Sequence, residues 1–272
     1  MSRNDFLEKS PLSSHFLKEQ EKFSSGIFDP SNFFISENLN NVDNYTSMFY
    51  HFHKYLDKDL KQLRGYFNSE FRGFGEDAFF SIWYFIFSLK KPVNILEIGV
   101  YRGQSLALFR KLSNKNNIDA NIYGISPLNN LGDEYSDYLN IDYQADIYAS
   151  FEKFNLNKPN LVKGLSQDQE IIDFIKSKKW DLIYVDGSHD FDVVINDLYV
   201  SIESLNIGGV LAVDDSNKNK NYDYKYIENK FGIRSSDGHS GPTKALDKVL
   251  NERKDIKKLI SIGHINFIIK TI

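Results

Sequence analysis

From Val93 onward, short runs of apolar, largely β-branched residues alternate with longer segments in which apolar residues recur every three or four positions. The short runs, which are typical of buried parallel strands, are VNILEIG, NIYGIS, NLVKG, DLIYVD and VLAVDD. Because strands that alternate with amphipathic helices form βαβ units, this pattern predicts an α/β protein with a doubly wound, mostly parallel sheet. The tail LISIGHINFIIKTI, two apolar runs around Gly263-His264, predicts a final hairpin and brings the sheet to seven strands.

The N-terminal third of the chain has a different pattern. Residues 1–45 are polar with scattered phenylalanines, which predicts an irregular or weakly helical arm. Residues 45–89 have helical spacing, and the segment EDAFFSIWYFIFSL within them is apolar enough for a buried helix, either in the core or at a subunit interface. We therefore predict two parts: an arm with a helical cap or interface region at 1–90, and an α/β domain at 91–272.

Composition narrows the class of protein. The chain has 272 residues, a formal net charge of -4 and no cysteine, so disulfides and thiolate metal sites are excluded. The acidic balance gives no basic surface for nucleic acid, and no apolar run reaches the length of a membrane span. The absence of cysteine fits a cytoplasmic protein, and the N-terminus lacks the apolar core of a signal peptide.

Acidic residues follow the fourth and fifth predicted strands directly. Asp186 ends DLIYVD, and the pair Asp214 and Asp215 ends VLAVDD, with His189 three residues beyond the first acid. Ligands of open α/β sheets bind beyond the carboxyl ends of the strands, so these side chains are expected to meet at one rim. Crowded carboxylates repel one another, and a divalent cation relieves that repulsion. The alternative is a structural role, in which such acids cap the helices that follow them. We favour this capping role for Asp190.

A glycine-containing loop follows the first strand. ILEIGVYRGQSL, residues 95–106, has glycines at 99 and 103 but not the G-x-G-x-x-G pattern of nicotinamide-binding folds. Gly99 and Gly103 would let the backbone approach a ligand, and the next helix would offer unpaired N–H groups. Two roles stay open for Arg102, a contact with a cofactor carboxylate or with an acidic neighbour. Glu97, near the end of the first strand, could accept hydrogen bonds from loop amides as a structural residue, and this role is compatible with a ligand contact.

The five strands, the glycine loop and the final hairpin together resemble the class I S-adenosylmethionine-dependent methyltransferases, whose sheet ends in an antiparallel strand. DLIYVDGSHDF followed by IGGVLAVDD resembles, more narrowly, the group of macrocin-type sugar O-methyltransferases and cephalosporin-hydroxylase-like proteins. YGISPL and SGPTKALDKVL are similar to bacterial members of that group. The resemblance covers about residues 74–270 and implies a Rossmann-like methyltransferase fold with a helical N-terminal extension.

The resemblance also implies roles for individual residues. In macrocin-type enzymes a divalent ion, typically Mg²⁺, is held at the positions that match Asp186, Asp214 and Asp215, and the position of the base matches His189. Asp186 would thus serve both the metal and catalysis. The residues assigned to the S-adenosylmethionine pocket are Glu97, Gly99, Arg102, Gly103, Ser126, Ser166 and Asp186.

Ser126 is a departure from the class I pattern. Many members end the second strand with an acid that binds both ribose hydroxyls, and a serine is a poorer bidentate partner. Asp133 is the alternative for that role. Ser166 and Gln167, after the third strand, are candidates for the adenine pocket.

Together with the resemblance, these residues predict a metal-dependent O-methyltransferase that uses S-adenosylmethionine and forms a homo-oligomer. The resemblance implies a sugar or glycosylated small molecule as the acceptor. Two alternatives stay open: an accessory protein of an oxidative biosynthetic step, and a non-catalytic cofactor-binding subunit. The sequence shows no histidine-rich iron triad, which argues against direct oxygen chemistry. His239 could be a second base or a substrate contact, although an ordinary loop histidine is the favoured interpretation.

Overall fold

The computed structural model describes residues 40–69, 72–132 and 138–272. The strands are β1 (Asn94–Ile98), β2 (Asn121–Ser126), β3 (Asn160–Lys163), β4 (Trp180–Val185), β5 (Leu205–Val213), β6 (Ile256–Ile262) and β7 (Ile265–Lys270). The helices are α1 (Asn41–Lys54), α2 (Lys58–Asn68), α3 (Asp77–Lys90), α4 (Gln104–Lys115), α5 (Tyr143–Lys153), α6 (Gln169–Lys176), α7 (Phe191–Ser204), α8 (Tyr224–Phe231) and α9 (Ser240–Glu252).

The strands form one seven-stranded sheet in the order β3-β2-β1-β4-β5-β7-β6. β1 to β5 are parallel, whereas β7 runs antiparallel to both of its neighbours, β5 and β6. The order reverses between β1 and β4, and this switch point is where ligands bind in open α/β sheets. The predicted doubly wound sheet and its final hairpin are confirmed.

The helices α1 to α3 pack against the sheet. Trp83 of α3 stands edge-on to the rings of Phe109 in α4, Tyr184 in β4 and Phe267 in β7, with centroids 4.8, 5.2 and 5.0 Å apart. Of the two interpretations of this apolar segment, core packing is therefore the one that the structure shows. Residues 1–39 of the predicted arm lie outside the described residues.

Two local predictions differ from the structure. The helical pattern over residues 49–67 is interrupted, because the side chain of Asp57 accepts a hydrogen bond from the Leu60 amide and starts the separate helix α2. The stretch 216–241 is mostly polar, a pattern that predicts a loop, but it contains α8, whose only fully buried residue is Ile227. With one buried position in eight residues, the sequence of α8 has no apolar repeat from which a helix could be predicted. Within the described residues, no helix is long and apolar enough to cross a bilayer.

Candidate active site

The carboxyl ends of the three central strands meet at one rim. The Asp186 amide donates to the Ile98 carbonyl at 2.8 Å, and the Asp214 amide donates to the Val185 carbonyl at 2.9 Å. Gly99, at φ +96°, makes the first approach possible, since a Cβ there would lie 2.0 Å from the Asp186 carbonyl oxygen. The predicted meeting of the strand-end acids therefore takes place.

Asp186 and Asp214 are hydrogen-bonded to each other at this rim. Burial, followed by the charge of Asp214, raises the pKa of Asp186 well above its usual range. A cavity of about 10 Å³ lies beside Asp186 and Asp214 and is also lined by His189 and Asp215. That volume holds about one water-sized particle.

Asp215 is the partner of His189. The imidazole Nε2 lies 2.9 Å from an oxygen of Asp215, whose backbone adopts the left-handed region at φ +50°. Burial alone would raise the pKa of Asp215, but the hydrogen bond with His189 and the charges of neighbouring histidines hold it below its usual range. A carboxylate beside an imidazole fixes the ring and stabilises its protonated form, as a general base requires.

His264, in the β6–β7 turn, is a member of the site that the sequence did not indicate. Its Nε2 lies 3.2 Å from Asp214, and its Nδ1 lies 3.2 Å from the Ser236 carbonyl. Burial by itself lowers the pKa of His264, but the surrounding carboxylates, Asp214 first, outweigh burial and raise it to about 9. His264 is thus a buried cation behind the acid cluster.

The helical N-terminal region reaches the same cluster through Glu76. Its carboxylate lies 3.8 Å from the Nδ1 of His264 and accepts hydrogen bonds from the hydroxyls of Tyr45 and Ser235. The side chain of Asn41 bonds both the amide and the carbonyl of Gly263, at 2.7 and 2.8 Å, and so ties α1 to the turn that carries His264.

His239 also arrives at the site, against the favoured interpretation of an ordinary loop residue. Its ring centroid lies 4.1 Å from that of His189, and its amide donates to the Asp215 carbonyl at 2.8 Å. Donor atoms of His189, His239 and Asp215 lie within 4.8 Å of one another. The structure thus brings together two histidines that are 50 positions apart in the sequence, a grouping that no local motif indicates.

The residues assigned to the cofactor pocket occupy different environments. Gly103 caps α4 at φ +79°, and no side chain among the described residues bonds that helix end. Arg102 is paired with Asp146 through two hydrogen bonds of 2.8 Å, so of its two open roles the structure shows the acidic neighbour. Ser126 ends β2, with its hydroxyl accepting from the Leu128 amide at 3.3 Å.

Three further assignments are placed differently or not at all. The Ser166 hydroxyl is hydrogen-bonded to Asp197 of α7, which turns it toward that helix. Asp190 stands at the N-cap position of α7, as expected, but its side chain makes no capping hydrogen bond within the described residues. Asp133, the alternative ribose ligand, lies outside the described residues.

Glu97 is fully enclosed at the end of β1. One carboxylate oxygen accepts from the Ser105 hydroxyl, and the other, Oε2, has no hydrogen-bond partner in the described part of the chain. Burial, only partly offset by the Ser105 hydrogen bond, raises the pKa of Glu97 to about 8. Glu97 is therefore neutral at pH 7 while this pocket contains no cation.

Replacing Glu97 with glutamine is expected to stabilise the protein at pH 9 by up to about 5 kcal/mol and to leave stability at pH 4 unchanged. A pKa raised from 4.5 to about 8 means that the folded state binds the extra proton, so stability is lost as pH rises through 8. Denaturant unfolding at both pH values measures the difference. A variant that follows the wild-type pH dependence would show that Glu97 is not the titrating group.

Comparisons with known proteins agree with this fold. Residues 96–216 match the family model described as a methyltransferase domain. An uncharacterized protein of Acanthamoeba polyphaga mimivirus is 28% identical over 130 residues, which are 46% of this chain and 52% of that protein. The match thus spans about half the length of this curated relative.

Solved structures cover more of the chain. A putative caffeoyl-CoA O-methyltransferase from Staphylococcus aureus has a TM-score of 0.57 at 15% identity and covers 84% of this chain and 99% of its own. The O-methyltransferase from Bacillus cereus in complex with S-adenosylhomocysteine scores 0.56 at 14% identity and covers 84% and 100%. The methyltransferase PaMTH1 of Podospora anserina, also bound to S-adenosylhomocysteine, scores 0.55 at 17% identity and covers 80% and 89%. The chain therefore has the Rossmann-like fold of these methyltransferases.

Proposed function

We propose that this protein is an S-adenosylmethionine-dependent O-methyltransferase with a divalent cation, preferably Mg²⁺, in its active site. The observation that carries the proposal is the joining of three carboxylates and a carboxylate-bound histidine at the rim of a methyltransferase domain. S-Adenosylmethionine supplies an electrophilic methyl group, and the acceptor must supply an oxygen nucleophile and lose a proton. At this rim, Glu97 and the glycine loop suit the methyl donor, and His189 suits the proton that the acceptor loses.

The glycine loop and Glu97 support a pocket for the cofactor. The N-terminus of α4 has amides that no described side chain caps, and these suit the cofactor carboxylate. The unpartnered Oε2 of Glu97 suits the cofactor ammonium group. A charge pair there would lower the pKa of Glu97 from about 8 and keep it ionised.

The acid cluster supports a cation site. Asp186, Asp214 and Asp215 converge on a cavity of about 10 Å³, and burial together with the charge of Asp214 raises the pKa of Asp186, a cost that a bound cation would offset. A cation bound there would lower the pKa of an acceptor hydroxyl and fix its orientation. His264 pairs with Asp214 at 3.2 Å and so holds one of the proposed ligands in place.

His189 is the proposed base. Its Nε2 is held by Asp215, so the ring is oriented before the acceptor arrives. The imidazole accepts the hydroxyl proton as the oxygen attacks the methyl carbon in line with the departing sulfur. The products are the methyl ether, S-adenosylhomocysteine and one proton on His189.

The acceptor, the cellular location and the oligomeric state are proposed from the sequence and its family resemblance alone. The acceptor is proposed to be a vicinal diol of a sugar or glycosylated small molecule, within the macrocin-type group. The protein is proposed to act in the cytoplasm as a homo-oligomer. A non-catalytic cofactor-binding role is the competing function, and metal-dependent turnover excludes it.

Calorimetric titration of S-adenosylhomocysteine, with Mg²⁺ and again with EDTA, is the primary test. Binding under both conditions is expected, because the proposed cofactor and metal pockets share only Asp186. Absence of binding under both conditions would overturn the methyltransferase proposal.

Replacing Asp186 with asparagine is expected to weaken Mg²⁺ binding by at least about a hundredfold, since it removes a proposed ligand and its charge. Direct Mg²⁺ titration measures the loss. Asp190→Asn is the matched control, because it makes the same charge change on the same loop at a side chain without a capping bond. Equal Mg²⁺ affinity in both variants would remove Asp186 from the metal site.

A further inference from the structure

The geometry points to a second cation site, formed by His189, Asp215 and His239, that takes a borderline transition-metal ion of the Zn²⁺ or Co²⁺ type. It differs from the proposed Mg²⁺ site, which uses Asp186, Asp214 and Asp215. The two sites share Asp215 and therefore exclude each other.

Donor spacing is the first observation. One nitrogen of each imidazole and one carboxylate oxygen of Asp215 lie within 4.8 Å of one another. Ligands about 2.1 Å from a common ion lie at most about 4.2 Å apart, so small side-chain rotations complete a three-ligand shell. The His189 Nε2 is already 2.9 Å from Asp215.

The backbone holds these three ligands in place independently of any ion. Asp215 and His239 are joined by the hydrogen bond between the His239 amide and the Asp215 carbonyl, and residues 216 and 238 form an isolated antiparallel bridge. A Cβ at Gly238 would lie 2.4 Å from the backbone of Asp215. These contacts fix one histidine beside the shared carboxylate.

The second histidine is fixed by the start of α9. A Cβ at Gly241 would lie 1.9 Å from the His189 carbonyl oxygen, so this helix can approach the His189 turn only with glycine at that position. The ring centroids of His189 and His239 are consequently 4.1 Å apart. Site residues whose supporting backbone is already packed lose little freedom on binding an ion.

The donor chemistry selects the kind of ion. Two imidazoles and one carboxylate suit Zn²⁺, Co²⁺, Ni²⁺ or Fe²⁺, whereas Mg²⁺ prefers oxygen ligands. All three side chains are partly accessible, so an ion can enter and a fourth position stays open to solvent. The carboxylate cluster is therefore expected to prefer Mg²⁺, and the histidine site a transition-metal ion.

The consequence for catalysis rests on the proposed function. An ion at the histidine site would bind both His189 and Asp215, so it would replace the hydrogen bond with which Asp215 orients the proposed base. Zn²⁺ would then inhibit methyl transfer, and because the two sites share Asp215, raising the Mg²⁺ concentration would weaken the inhibition.

The test measures metal binding by the full chain and is independent of turnover. Wild type is titrated with Zn²⁺ against a chromophoric chelator, and with Co²⁺ while its visible d–d absorption is recorded. One equivalent is expected to bind, with the Co²⁺ spectrum of a low-coordinate site containing nitrogen ligands. His239→Asn is expected to weaken Zn²⁺ binding by at least about tenfold and to abolish that spectrum.

Three further variants make the test decisive. His189→Asn repeats the ligand loss from the other side of the site, should His239→Asn fail to fold. His53→Asn is the matched control, because His53 also pairs with a carboxylate, Asp77, at 3.0 Å but lies away from this site. Asp186→Asn should weaken Mg²⁺ binding and change Zn²⁺ affinity by less than about threefold.

The second site would be overturned if His239→Asn and His189→Asn both bound Zn²⁺ as tightly as the wild type does. Loss of Mg²⁺ binding or of turnover alone bears on the proposed function and leaves the Zn²⁺ result intact. The two proposals can therefore fail separately.

Discussion

Replacing His189 with alanine is expected to lower the turnover number of methyl transfer by about 100- to 10,000-fold, the range that general-base catalysis contributes. The acceptor hydroxyl would still be positioned, but no side chain held by Asp215 would remain to accept its proton. Affinity for S-adenosylhomocysteine should not change, because the proposed cofactor pocket is built on the glycine loop and not on this turn.

Initial rates with a hydroxylated acceptor, together with calorimetric titration of S-adenosylhomocysteine, measure the two effects separately. His53→Ala is the control, since it also removes a carboxylate-paired histidine. A variant of His189 that keeps wild-type turnover would exclude it as the base, even if the fold-level assignment stands. Loss of cofactor binding would indicate instead that the turn shapes the pocket.

Replacing His264 with glutamine is expected to lower the free energy of unfolding at pH 6 by about 3 kcal/mol. The imidazolium lies 3.2 Å from Asp214 and 3.8 Å from Glu76, and both carboxylates are enclosed. Removing the cation leaves them buried without compensation, which costs more than the pair contributes in the intact protein.

The effect should depend on pH in a defined direction. The pKa of His264 is raised from 6.5 to about 9, so its contribution to stability is complete below pH 6.5 and is lost as pH rises through 9. The stability difference between wild type and His264→Gln should therefore shrink at pH 10. Denaturant unfolding at pH 6 and pH 10 measures it, with His53→Gln as a more exposed histidine–carboxylate control. A difference that grows with pH would contradict a cationic His264.

Local pattern was sufficient for the parallel part of the sheet. Each buried strand is a short apolar run bounded by polar residues, and the placement of Asp186 and Asp214 at the strand ends is a property of those runs. Because parallel strands place their carboxyl ends at one edge, the acid cluster followed from the predicted topology alone.

The other site residues could not be predicted in the same way. His239 and His264 lie in turns whose sequence carries no metal or catalytic spacing, and Glu76 precedes a helix that reads only as apolar core. Arg102 could not be assigned either, because its partner Asp146 lies 44 positions further along the chain. Side-chain pairing across such separations depends on how the elements pack.

The sequence by itself determined the α/β class, the strand-end acids with His189, and the glycine loop, because each is encoded by neighbours along the chain. Only the tertiary structure decided the second half of the site. The antiparallel insertion of β7 beside β5 brings the His264 turn to Asp214, and the packing of α9 on the His189 turn brings in His239. These contacts arise from long-range packing, which fixes distances between residues that share no local pattern.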